Sequence, residues 1–75
     1  MIRAVIIDDE PAMQEINSRL LSEYFPDIIQ AGIANSIKSG MELIEKQKPD
    51  LVLLDIELTD GSSFQLLQKL GTYNF

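Results

Sequence analysis

The sequence predicts an α/β fold, a parallel sheet layered with helices, and three observations carry that prediction. Two short apolar runs, residues 2–7 and 51–54, each end abruptly on aspartate, as buried strands do where they emerge into solvent. Helix-length stretches with apolar residues at helical spacing separate the strand candidates, and connections of that length force parallel pairing with right-handed crossovers. The breaking residues Asp9-Glu10-Pro11, Pro26-Asp27, Lys48-Pro49 and Asp60-Gly61 fall between these segments and not within them.

The first strand, residues 2–7, is rich in β-branched side chains and interrupted only by Arg3. Pro11 suits the first turn of a helix, where its missing N–H costs nothing, and Asp9 or Glu10 lies where a carboxylate can meet the orphan amides. Met13, Ile16, Leu20 and Tyr24, widened by Leu21, give that helix an apolar stripe. Gln14, Glu15, Ser18, Arg19 and Ser22 then face away, and Pro26-Asp27 stops the helix. A second strand runs from Asp27 or Ile28 to about Ala34; Gln30 and Gly32 weaken it and place it at an edge. Asn35 or Ser36 caps the next helix, whose apolar face is Ile37, Met41, Ile44 and Leu43, and Lys46, Lys48 and Pro49 mark its end. Leu51-Val52-Leu53-Leu54 is a continuous apolar run, expected of a strand covered on both faces. A polar loop, Thr59-Asp60-Gly61-Ser62, leads into a short helix with Phe64, Leu67 and Leu70 on one side, ended by Gly71.

Composition narrows the function. At 75 residues the chain holds one domain, residues 1–75, at a size where a single core only just outweighs chain entropy. Apolar residues make up 45%, too many for a disordered tail. Twelve acidic against six basic residues leave a net charge of -6, which repels a phosphate backbone, so no direct nucleic-acid contact is expected. The absence of cysteine excludes disulfides and thiolate metal sites; the absence of histidine excludes an imidazole base, a Ser-His triad and a phosphohistidine acceptor within this chain. The apolar stretch after Arg3 is far too short for a signal peptide or a membrane span, and the expected location is cytoplasmic.

In open parallel sheets functional groups gather at the carboxyl ends of strands, where Asp8-Asp9 and Asp55 both fall. Taken separately, Asp9 reads as a helix cap and Asp55 as an ordinary loop acid. Together, on neighbouring strands, these carboxylates would converge and repel, and a hard cation relieves the repulsion. Magnesium, which takes about six oxygens and keeps several waters, fits two carboxylates plus a main-chain carbonyl.

Ile6-Ile7-Asp8-Asp9-Glu10-Pro11, followed by Lys48-Pro49-Asp50-Leu51-Val52-Leu53-Leu54-Asp55-Ile56-Glu57-Leu58-Thr59-Asp60-Gly61, resembles the receiver domain of two-component response regulators. The motifs, their separation and the elements between them match over essentially the whole chain. The text from Asp60 to Phe64 and from Leu70 to Phe75 is most similar to receivers joined to LytTR-type DNA-binding domains. The resemblance implies a truncated flavodoxin-like fold, βαβαβα with parallel strand order 2-1-3, lacking the fourth and fifth strands of the family's sheet. It implies that Asp55 takes a phosphoryl group from a phosphohistidine on a sensor histidine kinase. Asp9 would ligate Mg2+ directly, Asp8 would position it largely through water, and the Glu57 main-chain carbonyl would add a ligand. Such a chain is a phospho-acceptor and not an enzyme, controlling an output domain in a longer parent.

Two departures stand out. Thr59 replaces the proline common in the family's phosphorylation loop, changing its stiffness without removing a ligand. The hydroxyl residue and lysine that the family supplies from later strands have no counterpart, since Lys38, Lys46, Lys48 and Lys69 map to helices. The chain by itself is therefore expected to be unable to switch. The strand at residues 51–55 would be an open edge, predicting a homodimer with sheet order 2-1-3-3-1-2. An alternative function is a self-associating module without phosphorylation. A Mg2+-dependent phosphatase is a third reading, disfavoured because Asp55-Ile56-Glu57 lacks the second aspartate of an Asp-x-Asp site.

Overall fold

The computed structural model describes residues 1–71, and its centre is the strand β1 (Arg3–Ile7). The chain continues through α1 (Pro11–Tyr24), β2 (Ile29–Ala34), α2 (Ile37–Gln47) and β3 (Leu51–Leu54). A small hairpin, β4 (Glu57–Leu58) and β5 (Gly61–Ser62), precedes α3 (Ser63–Leu70). The main sheet has order β2-β1-β3, as the resemblance implies, with both pairings parallel, as the helix-length connections predict. The register between β1 and β3 is continuous, from Ala4↔Leu51 to Ile7↔Leu54. Against β2 it shifts between Ala4 and Val5, where Ala31 is the extra residue.

Ala4, Val5, Ile6 and Ile7 are all at most 1% exposed, because β1 is paired on both edges and covered on both faces. Its alternation divides the core. Val5 and Ile7 join Ala34, Ile37, Ile44, Leu58 and Leu66 on the side of α2 and α3; Ala4 and Ile6 join Leu21 on the side of α1.

α2 matches its predicted face, with Ile37 and Ile44 buried and Met41 and Leu43 packed against the core. Ser36 caps it: its Oγ accepts from the Ser39 N–H at 3.1 Å, and the Ser39 hydroxyl accepts from the Ser36 N–H at 3.1 Å. Lys48 ends it in the left-handed region, at φ 47°.

Four expectations are corrected. In α1, Leu21 is the one fully buried residue, while Met13, Ile16, Leu20 and Tyr24 stay exposed. Polar bonds set the rotation of this helix. Gln14 Nε2 donates to the Asp8 carbonyl at 2.6 Å, and Gln30 Nε2 of β2 donates to the Ser18 carbonyl at 2.9 Å. The apolar stripe consequently lies on the flank opposite β2. The expected cap of α1 by Asp9 or Glu10 is also absent: Glu10 is the N-cap residue by backbone geometry but makes no side-chain cap, and its N–H donates to Asp8 Oδ1 at 3.0 Å. In α3, Phe64 points outward at 67% exposure and the anchor is Leu66, at 0%, flanked by Leu67 and Leu70. Leu66 and Leu70 are four positions apart and share a side, whereas Phe64 lies almost opposite Leu66. The segment read as a plain polar loop contains the β4–β5 hairpin, held down because Leu58 is buried at 7% exposure in the core. Gly71 ends α3 at φ 71°, as predicted, and residues 72–75, part of the text resembling LytTR-type receivers, lie outside the described residues.

Candidate functional site

Asp8 follows β1 and Asp55 follows β3, and the register pairing Ile7 with Leu54 carries both to the same end of the sheet. Two backbone bonds extend the ladder into the site: the Asp55 N–H donates to the Ile7 carbonyl at 2.9 Å, and the Asp8 N–H to the Ala34 carbonyl at 3.0 Å. Asp8 is buried at 6% exposure, whereas Asp9 and Asp55 are half-buried. One carboxylate oxygen from each of Asp8, Asp9 and Asp55 lies within 4.8 Å of the others. The sequence places these residues at two strand ends, and the fold brings them together.

Asp8 is the most constrained. Its Oδ1 accepts from the Glu10 N–H, closing a local turn that re-aims the chain into α1, and its carbonyl accepts from Gln14. Among the described residues none donates a hydrogen bond to Oδ2. Asp9, Glu10, Asp55, Ile56 and Glu57 line an open cleft of about 440 Å³. Glu57 therefore borders the site, on the first strand of the hairpin. Ser63 N–H donates to the Ile56 carbonyl at 2.8 Å and closes the hairpin at its base.

The donors are oxygens only and three are carboxylates, a set suited to a hard divalent cation such as Mg2+ and unsuited to a soft metal. The described residues lining the cleft are four carboxylate-bearing residues and Ile56, with no lysine or arginine among them. The arrangement can hold a cation and present an aspartate oxygen to an electrophile.

The sequence reading missed several residues around the cleft. Glu10 is on its rim, where the sequence suggested a helix cap, and exposed Ile56 forms part of its wall. Gln14 holds the Asp8 carbonyl, although the periodicity put it on the solvent side. Asp60 accepts from the Ile37 N–H at 2.7 Å through Oδ1 and from the Lys38 N–H at 3.2 Å through Oδ2. These bonds, the Ile37 one foremost, hold the Asp60 carboxyl below the ordinary aspartate range, with Lys69 adding a smaller effect in the same direction. No local spacing could reveal a cap supplied from 23 positions away.

The chain matches the family described as the response regulator receiver domain over residues 4–74. It is 44% identical over 69 residues to the sensory transduction protein LytT of Enterococcus faecalis, covering 92% of this chain and 28% of that protein. It is 36% identical over 75 residues to the transcriptional regulatory protein MalR of Bacillus subtilis, covering 99% of this chain and 31% of that protein. Among solved structures, the response regulator PhyR from Brucella abortus superposes with a TM-score of 0.81 at 31% identity, covering 92% of this chain and 28% of that one. The chain thus spans less than a third of the length of each of these relatives.

Proposed function

The chain belongs to the response regulator receiver domain family, and from that premise we propose that Asp55 accepts a phosphoryl group from a phosphohistidine on a sensor histidine kinase. The observation that carries this reading is the convergence of Asp8, Asp9 and Asp55 within 4.8 Å at the carboxyl end of two adjacent parallel strands. A carboxylate oxygen of Asp55 forms the new P–O bond as the P–N bond to the partner's imidazole breaks, and that electron pair returns to nitrogen. Asp8, Asp9, Asp55 and the Glu57 main-chain carbonyl would hold Mg2+, which when bound supplies positive charge to offset the phosphoryl oxygens. Asp8 is kept in place by its bonds to Glu10, Gln14 and Ala34, so the acidic floor is formed before any donor arrives.

The chain acts as a phospho-acceptor in the cytoplasm and not as an enzyme. Within a longer parent it controls an output domain, in this reading a DNA-binding one; by itself it does not switch, because no lysine or hydroxyl side chain lines the cleft among the described residues. The acidic balance, net -6, disfavours nucleic-acid contact by this segment. Self-association accompanies the reading: β3 is paired on one edge only among the described residues, and a second copy pairing through residues 51–55 gives the sheet order 2-1-3-3-1-2.

The test is intact-mass spectrometry of the chain and of Asp55→Asn after incubation with acetyl phosphate and Mg2+. One added phosphoryl group in the wild type, absent from Asp55→Asn and after chelation, is the expected result. Equal phosphorylation of both proteins would sink the assignment of Asp55.

A further inference from the structure

The N-terminus of α2 is capped by two residues of different origin. Ser36 takes the Ser39 N–H locally, whereas Asp60, from the tip of the β4–β5 hairpin, takes the N–H groups of Ile37 and Lys38. A carboxylate at a helix N-terminus is favourable by charge as well as by hydrogen bonding. The path of the chain gives this contact a second consequence. The Asp8 N–H is bonded to the Ala34 carbonyl, the backbone runs from Ala34 to Ile37, and the Ile37 N–H is bonded to Asp60. From Asp60 the backbone runs back to Asp55, whose N–H is bonded to the Ile7 carbonyl next to Asp8. This is a closed ring that includes Asp8, Asp55 and Glu57 of the acidic site. In it the Asp60 carboxylate is the side-chain link, the others being main chain.

We propose that Asp60 is a positioning residue for phosphoryl acceptance at Asp55, fixing the hairpin that carries Glu57 against the start of α2. The inference rests on the reading of Asp55 as acceptor and deepens it. Phosphoryl transfer depends on placing oxygens to within a fraction of an ångström, and the hairpin is otherwise held by Leu58 in the core and by the Ser63–Ile56 bond at its base. Without the tip contact, the backbone between Asp55 and Gly61 gains freedom. The Glu57 carbonyl moves with it.

The comparison of Asp60→Ala with Ser36→Ala isolates this role, because both remove a cap from the same helix end and only the first frees the hairpin. Mg2+ is titrated into each 75-residue protein by amide NMR, and the rate of phosphorylation by acetyl phosphate is followed as a function of Mg2+. Asp60→Ala should require about tenfold more Mg2+ for half-saturation in both measurements, with a rate at saturating Mg2+ within about twofold of wild type. Asp60→Asn, which keeps one acceptor, should lie between them. Ser36→Ala should titrate as wild type while melting at a lower temperature.

Identical Mg2+ curves for Asp60→Asn and wild type, or equal displacement of the curve by Ser36→Ala and Asp60→Ala, would overturn the positioning role and leave Asp55 as acceptor. A wild-type chain that neither binds Mg2+ nor takes a phosphoryl group would overturn the acceptor reading, and this inference with it. Should Asp60→Ala fail to fold, Asp60→Asn against Ser36→Ala decides the matter by the same curves.

Discussion

At the scale of single residues, Asp60 and Gly61 turn the hairpin between Asp55 and α3, and each answers to a separate measurement. The Asp60 carboxyl is held below its ordinary value near 3.8 by the Ile37 and Lys38 N–H groups and by Lys69. The unfolded chain therefore binds the more protons at mildly acid pH. Stability contributed by this cap is fully present above the unfolded value and is lost as pH falls through the lower folded one. Urea denaturation of wild type and Asp60→Asn should give a stability difference that is constant from neutrality to about pH 5 and shrinks below about pH 4. A difference that grows on acidification would contradict it. Gly61 sits at φ 144°, and a Cβ there would meet Ile37 Cδ1 at 2.7 Å and also the Gln65 side-chain oxygen. Gly61→Ala should cost about 1–3 kcal/mol in the same assay, from backbone strain together with the clash. The sequence made the need for this glycine legible, since Asp-Gly before a helix marks a tight turn. The cap by Asp60 was not legible, because it joins two elements distant in sequence.

At the scale of elements, the helices show how far periodicity reaches. α2 was read correctly because its stripe of Ile37, Met41 and Ile44 meets the sheet directly and its cap is local. α1 was rotated relative to expectation because hydrogen bonds from Gln14 and to Ser18 bind the flank that the apolar pattern had assigned to solvent. In α3, the three-residue spacing groups Phe64 with Leu67 and Leu70, whereas the core takes the face centred on Leu66. The correction is measurable. Leu66→Ala removes a side chain at 0% exposure and should cost about 2–5 kcal/mol by thermal or urea unfolding. Phe64→Ala, at an outward-facing position, should remain within about 0.5 kcal/mol of wild type. Comparable losses from the two substitutions would mean that α3 is rotated from the orientation described.

At the scale of the whole molecule, the two faces of the sheet are unequally covered. Among the described residues, α2 and α3 pack on the face carrying Val5 and Ile7, whereas α1 is the one helix on the face carrying Ala4 and Ile6. Met13, Ile16 and Leu20 remain exposed on the flank of α1 opposite β2, and Leu51 and Leu53 of β3 are only half-buried against the Ala4–Ile6–Leu21 cluster. An incompletely covered apolar face beside a strand edge favours association, while the net charge of -6 on each copy opposes it. Ionic strength separates the two effects. Raising salt from about 0.01 M to about 0.15 M shortens the screening length from about 30 Å to about 8 Å. It weakens repulsion between copies and leaves apolar burial and strand pairing nearly untouched. Size-exclusion chromatography with light scattering should show the 8.4 kDa chain shifting toward twice that mass as salt and protein concentration rise. An interface built from ion pairs would respond in the opposite direction, and a monomer at every salt and concentration would remove the β3 edge as an association surface.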